Sequence, residues 1–256
     1  MKFDSSDISF SDLDLKQKIK LPETLNLELA YLLGFHLGDG SMSVYKKRNG
    51  VNYYISYDGN LSEELKWYKS FLCPLIKKLF NKNVKVLSKK TTANITIYSK
   101  TILSFLHEKC GLPLGKKSNY EFPSIILKSN PEIKRSFLRG LADADFSLAF
   151  KARHKNINYY PVIDYQTSDE VLHNSTKKIL EDLKFKFYSN SRFQTRKGKV
   201  HRNYYIQING VPRLNKWMSE IGFNSPVQLT KYFLWKKQGF VPPGTSLSIR
   251  ENLLRK

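Results

Sequence analysis

The alternation of apolar and polar positions along the chain marks out helices and hairpins in a definite order. An apolar run over about residues 26–38 reads as a helix, and a period of two takes over after it. Ser41, Ser43, Tyr45 and Lys47 then share one strand face, with Met42 and Val44 on the other. Asn49-Gly50, a favoured hairpin pair, signals the turn. The returning strand sets Asn52, Tyr54, Ser56 and Asp58 against Tyr53, Ile55 and Tyr57. Over about 61–80, Leu65, Tyr68, Leu72, Leu75, Ile76 and Leu79 recur at three- and four-residue spacing and predict a helix. A strand pair over about 83–98 and a helix over about 100–110 follow.

The same series then recurs. Leu32-Leu33-Gly34-Phe35-His36-Leu37-Gly38-Asp39-Gly40 is echoed by Leu138-Arg139-Gly140-Leu141-Ala142-Asp143-Ala144-Asp145-Phe146, and the last aspartates lie 106 residues apart. The second helix opens with Asn130-Pro131-Glu132, an N-cap, a proline at the first helical position and an acid in the first turn. Hairpin (about 147–166), helix (about 168–183), strands (about 186–208) and helix (about 210–221) repeat the earlier order. The expected fold is α+β, two fused αββαββα repeats. The expected organisation is an N-terminal extension (1–24), a first repeat (25–111), a linker (112–129), a second repeat (130–223), and a C-terminal helix with a basic tail (224–256).

Composition narrows the chemistry. The 256 residues hold 43 Lys and Arg against 22 Asp and Glu, a net charge of +21, which favours a polyanionic partner. No apolar stretch approaches the roughly 20 residues of a spanning helix, so no membrane partner is expected. Asp4, Asp7, Asp12 and Asp14 stand where a signal peptide would be apolar, and Cys73 and Cys110 are the only cysteines. A soluble, intracellular protein is expected, in the cytoplasm or nucleoid or in an organelle of a eukaryote. The Met start and the lack of flanking splicing-junction residues argue against an intein.

The polar strand faces suit double-stranded DNA. In the second repeat they carry Ser147, Ala149, Lys151 and Arg153, then Tyr160, Val162, Asp164 and Gln166, then Arg192, Gln194 and Arg196, and lastly Asn203, Tyr205, Gln207 and Asn209. Arg and Lys reach guanine edges and phosphates, Asn and Gln reach adenine, and a two-stranded ribbon fits the major groove. The DNA-contacting set is therefore Ser41, Ser43, Tyr45, Lys47, Asn52, Tyr54, Ser56, Lys151, Arg153, Asp164, Arg192, Gln194, Arg196, Asn203, Tyr205 and Gln207.

Two acids at matched helix ends need a separate reason. Gly34 and Gly38, like Gly140 and Ala144, form small-residue stripes that let two helix backbones meet. Facing stripes would bring Asp39 and Asp145 together at helix C-termini, where carboxylates repel one another and the helix dipoles. Such a pair invites a divalent cation and hydrolysis of phosphodiesters.

These two segments resemble the paired motifs of the LAGLIDADG homing endonucleases in the single-chain, two-repeat form. The resemblance runs from about Leu25 to about Gly222. It implies a saddle of two four-stranded sheets with the motif helices at the interface, acting as a monomer on a long DNA site. It also implies Mg²⁺ (or Mn²⁺) held by Asp39 and Asp145, with Gly38 and Ala144 beside them, and double-strand cleavage leaving 3′ overhangs. Asp58 and Gln166, by position, would order the attacking water. The family also supplies a basic residue near the metals; Lys47 and Lys151 match it by position only, and Lys100 reads as a helix start. The second motif departs in ending on Phe146 where glycine is usual, which would turn the backbone another way or cap the interface with the ring.

The five histidines show no metal-ligand spacing; His36 reads as a packed residue and His154, beside Arg153 and Lys155, as a phosphate contact. Two alternatives use the same scaffold: an RNA-binding maturase acting on its own intron RNA, and a non-cleaving DNA-binding regulator. Retention of both aspartates argues against the regulator.

Overall fold

A computed structural model describes every residue except Met1, Asn49 and Lys197, and only the backbone of Lys47, Arg196 and Lys199. The chain divides into two units, residues through Lys117 with Pro123–Leu141, and Ser118–Phe122 with Ala142–Lys256.

The first unit begins with a short helix α1 (Asp12–Lys16) and the motif helix α2 (Leu27–Asp39). Asn26 caps α2, its side-chain oxygen accepting from the Leu29 N–H at 2.8 Å. Residues Leu29 to Leu37 are all buried, as in a central helix and unlike the one-sided stripe of a surface helix. Strands β1 (Gly40–Lys47) and β2 (Gly50–Asn60) form the hairpin, with Gly50 opposite Lys47 at φ +135°. Gly50 thus opens the second strand, and the other predicted turn residue, Asn49, lies outside the described residues. Helix α3 (Leu61–Trp67) runs through a π-helical turn (Tyr68–Leu72) into α4 (Cys73–Phe80). Strands β3 (Val86–Lys89) and β4 (Thr92–Tyr98) complete an antiparallel sheet of order β1-β2-β4-β3. Helix α5 (Lys100–Ser104) ends in a second π-helical turn (Phe105–Lys109), and α6 (Ser124–Leu127) precedes the other motif helix, α7 (Pro131–Asp145).

The part of α7 within this unit lies against α2 backbone to backbone. A Cβ on Gly34 would stand 1.9 Å from the Phe137 carbonyl oxygen, and one on Gly140 would stand 2.0 Å from that of Tyr31. Two of the predicted small residues therefore make the approach, and Ser136 adds a hydrogen bond to the Leu27 carbonyl at 2.7 Å. On its other side, α2 sends Phe35 into Tyr57, Trp67 and Tyr68, with ring centroids 5.5–6.2 Å apart. The N-terminal extension is built in: Asp14, fully buried, accepts from the Thr101 N–H at 3.1 Å and hydroxyl at 2.9 Å.

In the second unit, β5 (Phe146–Lys151) and β6 (Tyr160–Thr167) precede α8 (Glu170–Asp182), β7 (Tyr188–Arg196) and β8 (Lys199–Asn209). The sheet order β5-β6-β8-β7 repeats that of the first unit. Helices α9 (Val211–Glu220), α10 (Pro226–Gln238) and α11 (Leu247–Arg255) follow. The last corrects the expected basic tail. Ser246 caps that helix, Leu247 is buried, and the buried Arg250 donates to the Thr230 hydroxyl at 3.0 Å, so the segment packs on α10. Arg153 is a second correction: β5 ends at Lys151, and the Arg153 guanidinium sits in the following loop, 3.9 Å above the Tyr160 ring.

Candidate DNA-facing and metal-binding site

Both motif helices run directly into strands. Gly40, the C-cap of α2, has φ −81° and ψ 156°, so the motif glycine is not held by left-handed geometry. Space holds it instead: a Cβ there would meet His36 Nδ1 at 2.3 Å. In the second motif the residue matching His36 is Ala142, and Phe146 fills the room, stacking on Tyr165 at 4.7 Å and Trp217 at 5.6 Å. Gly40 pairs with Tyr57 and Phe146 with Tyr165, so the register is the same in both sheets. Phe146 therefore leaves the path of the backbone unchanged.

Within the first unit, Asp39 is half-buried at the helix end. The buried Tyr68 hydroxyl lies in the field of Glu64, Asp39 and Asp58, and burial first, then these charges, push its pKa far up. Burial also raises Glu64, whose carboxylate accepts from the Asn60 N–H at 2.6 Å. Asp58 accepts from Asn94 Nδ2 at 2.7 Å, and Asn94 in turn accepts from Thr96 at 2.7 Å. In the second unit Asp145 is exposed at its helix end and acts on the Tyr165 hydroxyl, whose pKa burial raises most. Gln166 holds the position that Asp58 holds, one residue past the paired tyrosine.

Sequence reasoning did not place the basic residue near the helix end; the structure puts Lys117 there. Its Nζ lies 2.9 Å from the Leu37 carbonyl oxygen, 2.5 Å from Gly38, 2.7 Å from Gly40 and 3.3 Å from His36. The only sequence signal was a Lys-Lys pair in a Pro- and Gly-containing linker. The end of α2 leaves carbonyls without intrahelical donors and with partial negative charge, so a cation is favoured there. The donor set is all hard oxygen, and an ammonium already stands in for a cation at Gly38, so Asp39 and the Gly38 carbonyl fit Mg²⁺ or Mn²⁺. Among the described residues no three His, Cys, Asp or Glu side chains gather as a chelating group. Carbonyl, water or phosphate oxygens would have to complete the coordination.

The open strand faces are organised by their own hydrogen bonds. Tyr205 is buried, and its hydroxyl accepts from Arg192 Nε and from Gln194 Nε2 at 3.2 Å, while Asn203 donates to Gln194 at 2.7 Å. Asp164 accepts from Gln166 at 2.8 Å and Gln207 at 2.9 Å, so it orients two amides. Lys151, Arg153, Gln166 and Arg192 are exposed. On the first sheet Ser41 is exposed and hydrogen-bonded to buried Ser56 at 2.8 Å. Ser43, Tyr45, Asn52 and Tyr54 are half-buried there, and Tyr45, Tyr54 and Tyr98 form an aromatic ladder with centroid spacings of 6.4 and 5.8 Å. Tyr98 escaped the sequence reading. The side chains of Lys47 and Arg196 lie outside the described residues.

No family model matches the chain. Curated relatives include the replication factor C small subunit of Methanocaldococcus jannaschii, 28% identical over 80% of this chain but only 10% of that protein. An A-type ATP synthase subunit from Pyrococcus abyssi is 29% identical over 50% of this chain and 12% of its own length. The chain thus spans about a tenth of these relatives' length. Among solved structures, I-DmoI in complex with DNA and manganese has a TM-score of 0.56 at 17% identity, covering 78% of this chain and 98% of that one. The LAGLIDADG homing endonuclease I-GzeII, in complex with its DNA target, has a TM-score of 0.50 at 12% identity, covering 84% of this chain and 90% of that one. With two motifs at matched positions and two sheets of the same strand order, the chain has the two-repeat fold of the LAGLIDADG homing endonucleases.

Proposed function

We propose that the protein is a site-specific DNA endonuclease that uses a divalent cation to make a double-strand break with 3′ overhangs. One observation carries the reading. Each repeat ends its motif helix in an aspartate, Asp39 or Asp145, and continues directly into the first strand of a sheet whose polar side chains hydrogen-bond to one another. Arg192, Gln194, Asn203 and Gln207 suit base edges and phosphates, and the mutual bonds of this lattice hold them in place before DNA arrives.

Asp39 with the Gly38 carbonyl, and Asp145 with that of Ala144, would hold Mg²⁺ or Mn²⁺. When bound there, the cation would supply polarisation of the phosphodiester and a lowered pKa for its water. Asp58, oriented by Asn94, and Gln166, oriented by Asp164, are placed by sequence position to align that water. Lys117 is the basic residue of the first half.

The test is cleavage of a randomised DNA library with and without Mg²⁺. Selection of one long sequence, cut on both strands only with the metal, is the expected result. Cutting without sequence preference, or metal-dependent cutting retained in full by Asp39→Asn, would refute the reading.

A further inference from the structure

The geometry points to Lys117 as a resident cation of the first motif. We propose that a divalent cation binding at Asp39 must displace the Lys117 ammonium from the Gly38 and Gly40 carbonyls. The proposal rests on the reading that Asp39 holds such a cation.

Four carbonyl oxygens converge on one ammonium, which has only three protons to donate. Two of these oxygens, those of Gly38 and Gly40, flank Asp39 in the chain, so the ammonium and a cation on Asp39 would draw on the same oxygens. Two cations sharing them repel strongly in a half-buried place. The lysine stem is flexible and Lys117 is itself half-buried, so the ammonium can turn outward while the backbone stays.

The second unit treats the matching position differently. The Phe146 carbonyl, the counterpart of Gly40, accepts from the neutral amide of buried Gln228 at 3.2 Å, and Gln228 Oε1 accepts from the Leu148 N–H at 2.9 Å. Lys231 Nζ donates to the oxygen of that amide at 3.4 Å. One motif thus has an ammonium on this carbonyl, and the other an amide fixed on both sides by β5. Lys117→Gln therefore places in the first motif a side chain the fold already uses in the second.

The experiment is a Tb³⁺ luminescence titration of the full chain without DNA, in an Asp145→Asn background so that the first motif is read alone. Lys117→Gln is expected to tighten Tb³⁺ binding at least about tenfold. Lys117→Arg, which keeps the charge, is expected to stay near the Lys117 value. A Gln variant that binds no more tightly, or an Arg variant that binds as tightly as Gln, would overturn the displacement. Asp39→Asn separates the two readings: if it leaves Tb³⁺ affinity unchanged, the cation site itself fails. Should the variants not fold, the wild-type chain still decides, through acetylation of Lys117 followed by mass spectrometry. Saturating Ca²⁺ is expected to speed that modification several-fold, and an unchanged rate would overturn the proposal.

Discussion

His36 Nδ1 occupies the place where a side chain on Gly40 would begin, 2.3 Å from the position of its Cβ. The second motif reverses the sizes, with Ala142 in the helix and Phe146 on the strand. A large residue followed four positions later by a small one has been exchanged for a small followed by a large, and each fills one pocket beside the paired tyrosine. Gly40→Ala is expected to cost about 1–3 kcal/mol through overpacking, and His36→Ala in the same chain to recover part of that loss. Urea denaturation of the two single variants and the double variant measures the coupling; strictly additive losses would contradict the exchange.

His36 also makes stability depend on pH. Its folded pKa, lowered by burial to about 3, lies below the ordinary 6.5, so the unfolded chain takes up the proton first. The contribution is complete above about pH 6.5 and is lost as pH falls toward 3, by about 1.4 kcal/mol per unit well inside that window. Denaturation midpoints measured across it should flatten by one proton in His36→Leu. Parallel curves for the two proteins would rule His36 out as the source.

The approach of α2 to the first part of α7 leaves no room for a methyl group. Gly34→Ala or Gly140→Ala would force a Cβ to about 2 Å from a backbone oxygen, which no rotamer relieves. A loss of about 3 kcal/mol or more is expected from each, read as a fall in thermal midpoint. Wild-type midpoints in both variants would show that the helices do not pack this way.

Asp39→Asn and Asp145→Asn should each lower the rate of double-strand cleavage by about 10³-fold or more while DNA binding persists. Gel-shift and cleavage assays on one substrate separate the two effects. Loss of binding in step with cleavage would instead assign the aspartates to DNA contact or folding.

DNA affinity should fall steeply with salt, in keeping with a charge of +21. Neutralising six or more phosphates predicts a loss of roughly a thousandfold between about 50 and about 200 mM salt. Within that trend, Tyr205→Phe should weaken binding modestly, because Arg192 and Gln194 lose the hydroxyl that orients them. A flat salt response would remove the polyanion argument.

Local periodicity by itself determined the order of helices and strands, the duplication, and the pairing of Asp39 with Asp145 as equivalent residues. These follow from neighbours three, four or two positions apart, which sequence spacing reports directly. The polar strand faces were legible for the same reason. Packing decided the rest. Lys117 reaches carbonyls about 80 residues away, and nothing local marks it apart from Lys116. Phe146 stacks on Tyr165 and Trp217, residues 19 and 71 positions away, which the motif itself does not report. Arg153 left its strand for the Tyr160 ring, and the supposed tail became a helix because α10 offers buried Arg250 its partners. Such contacts join residues distant in the chain, and only the folded backbone brings them within reach.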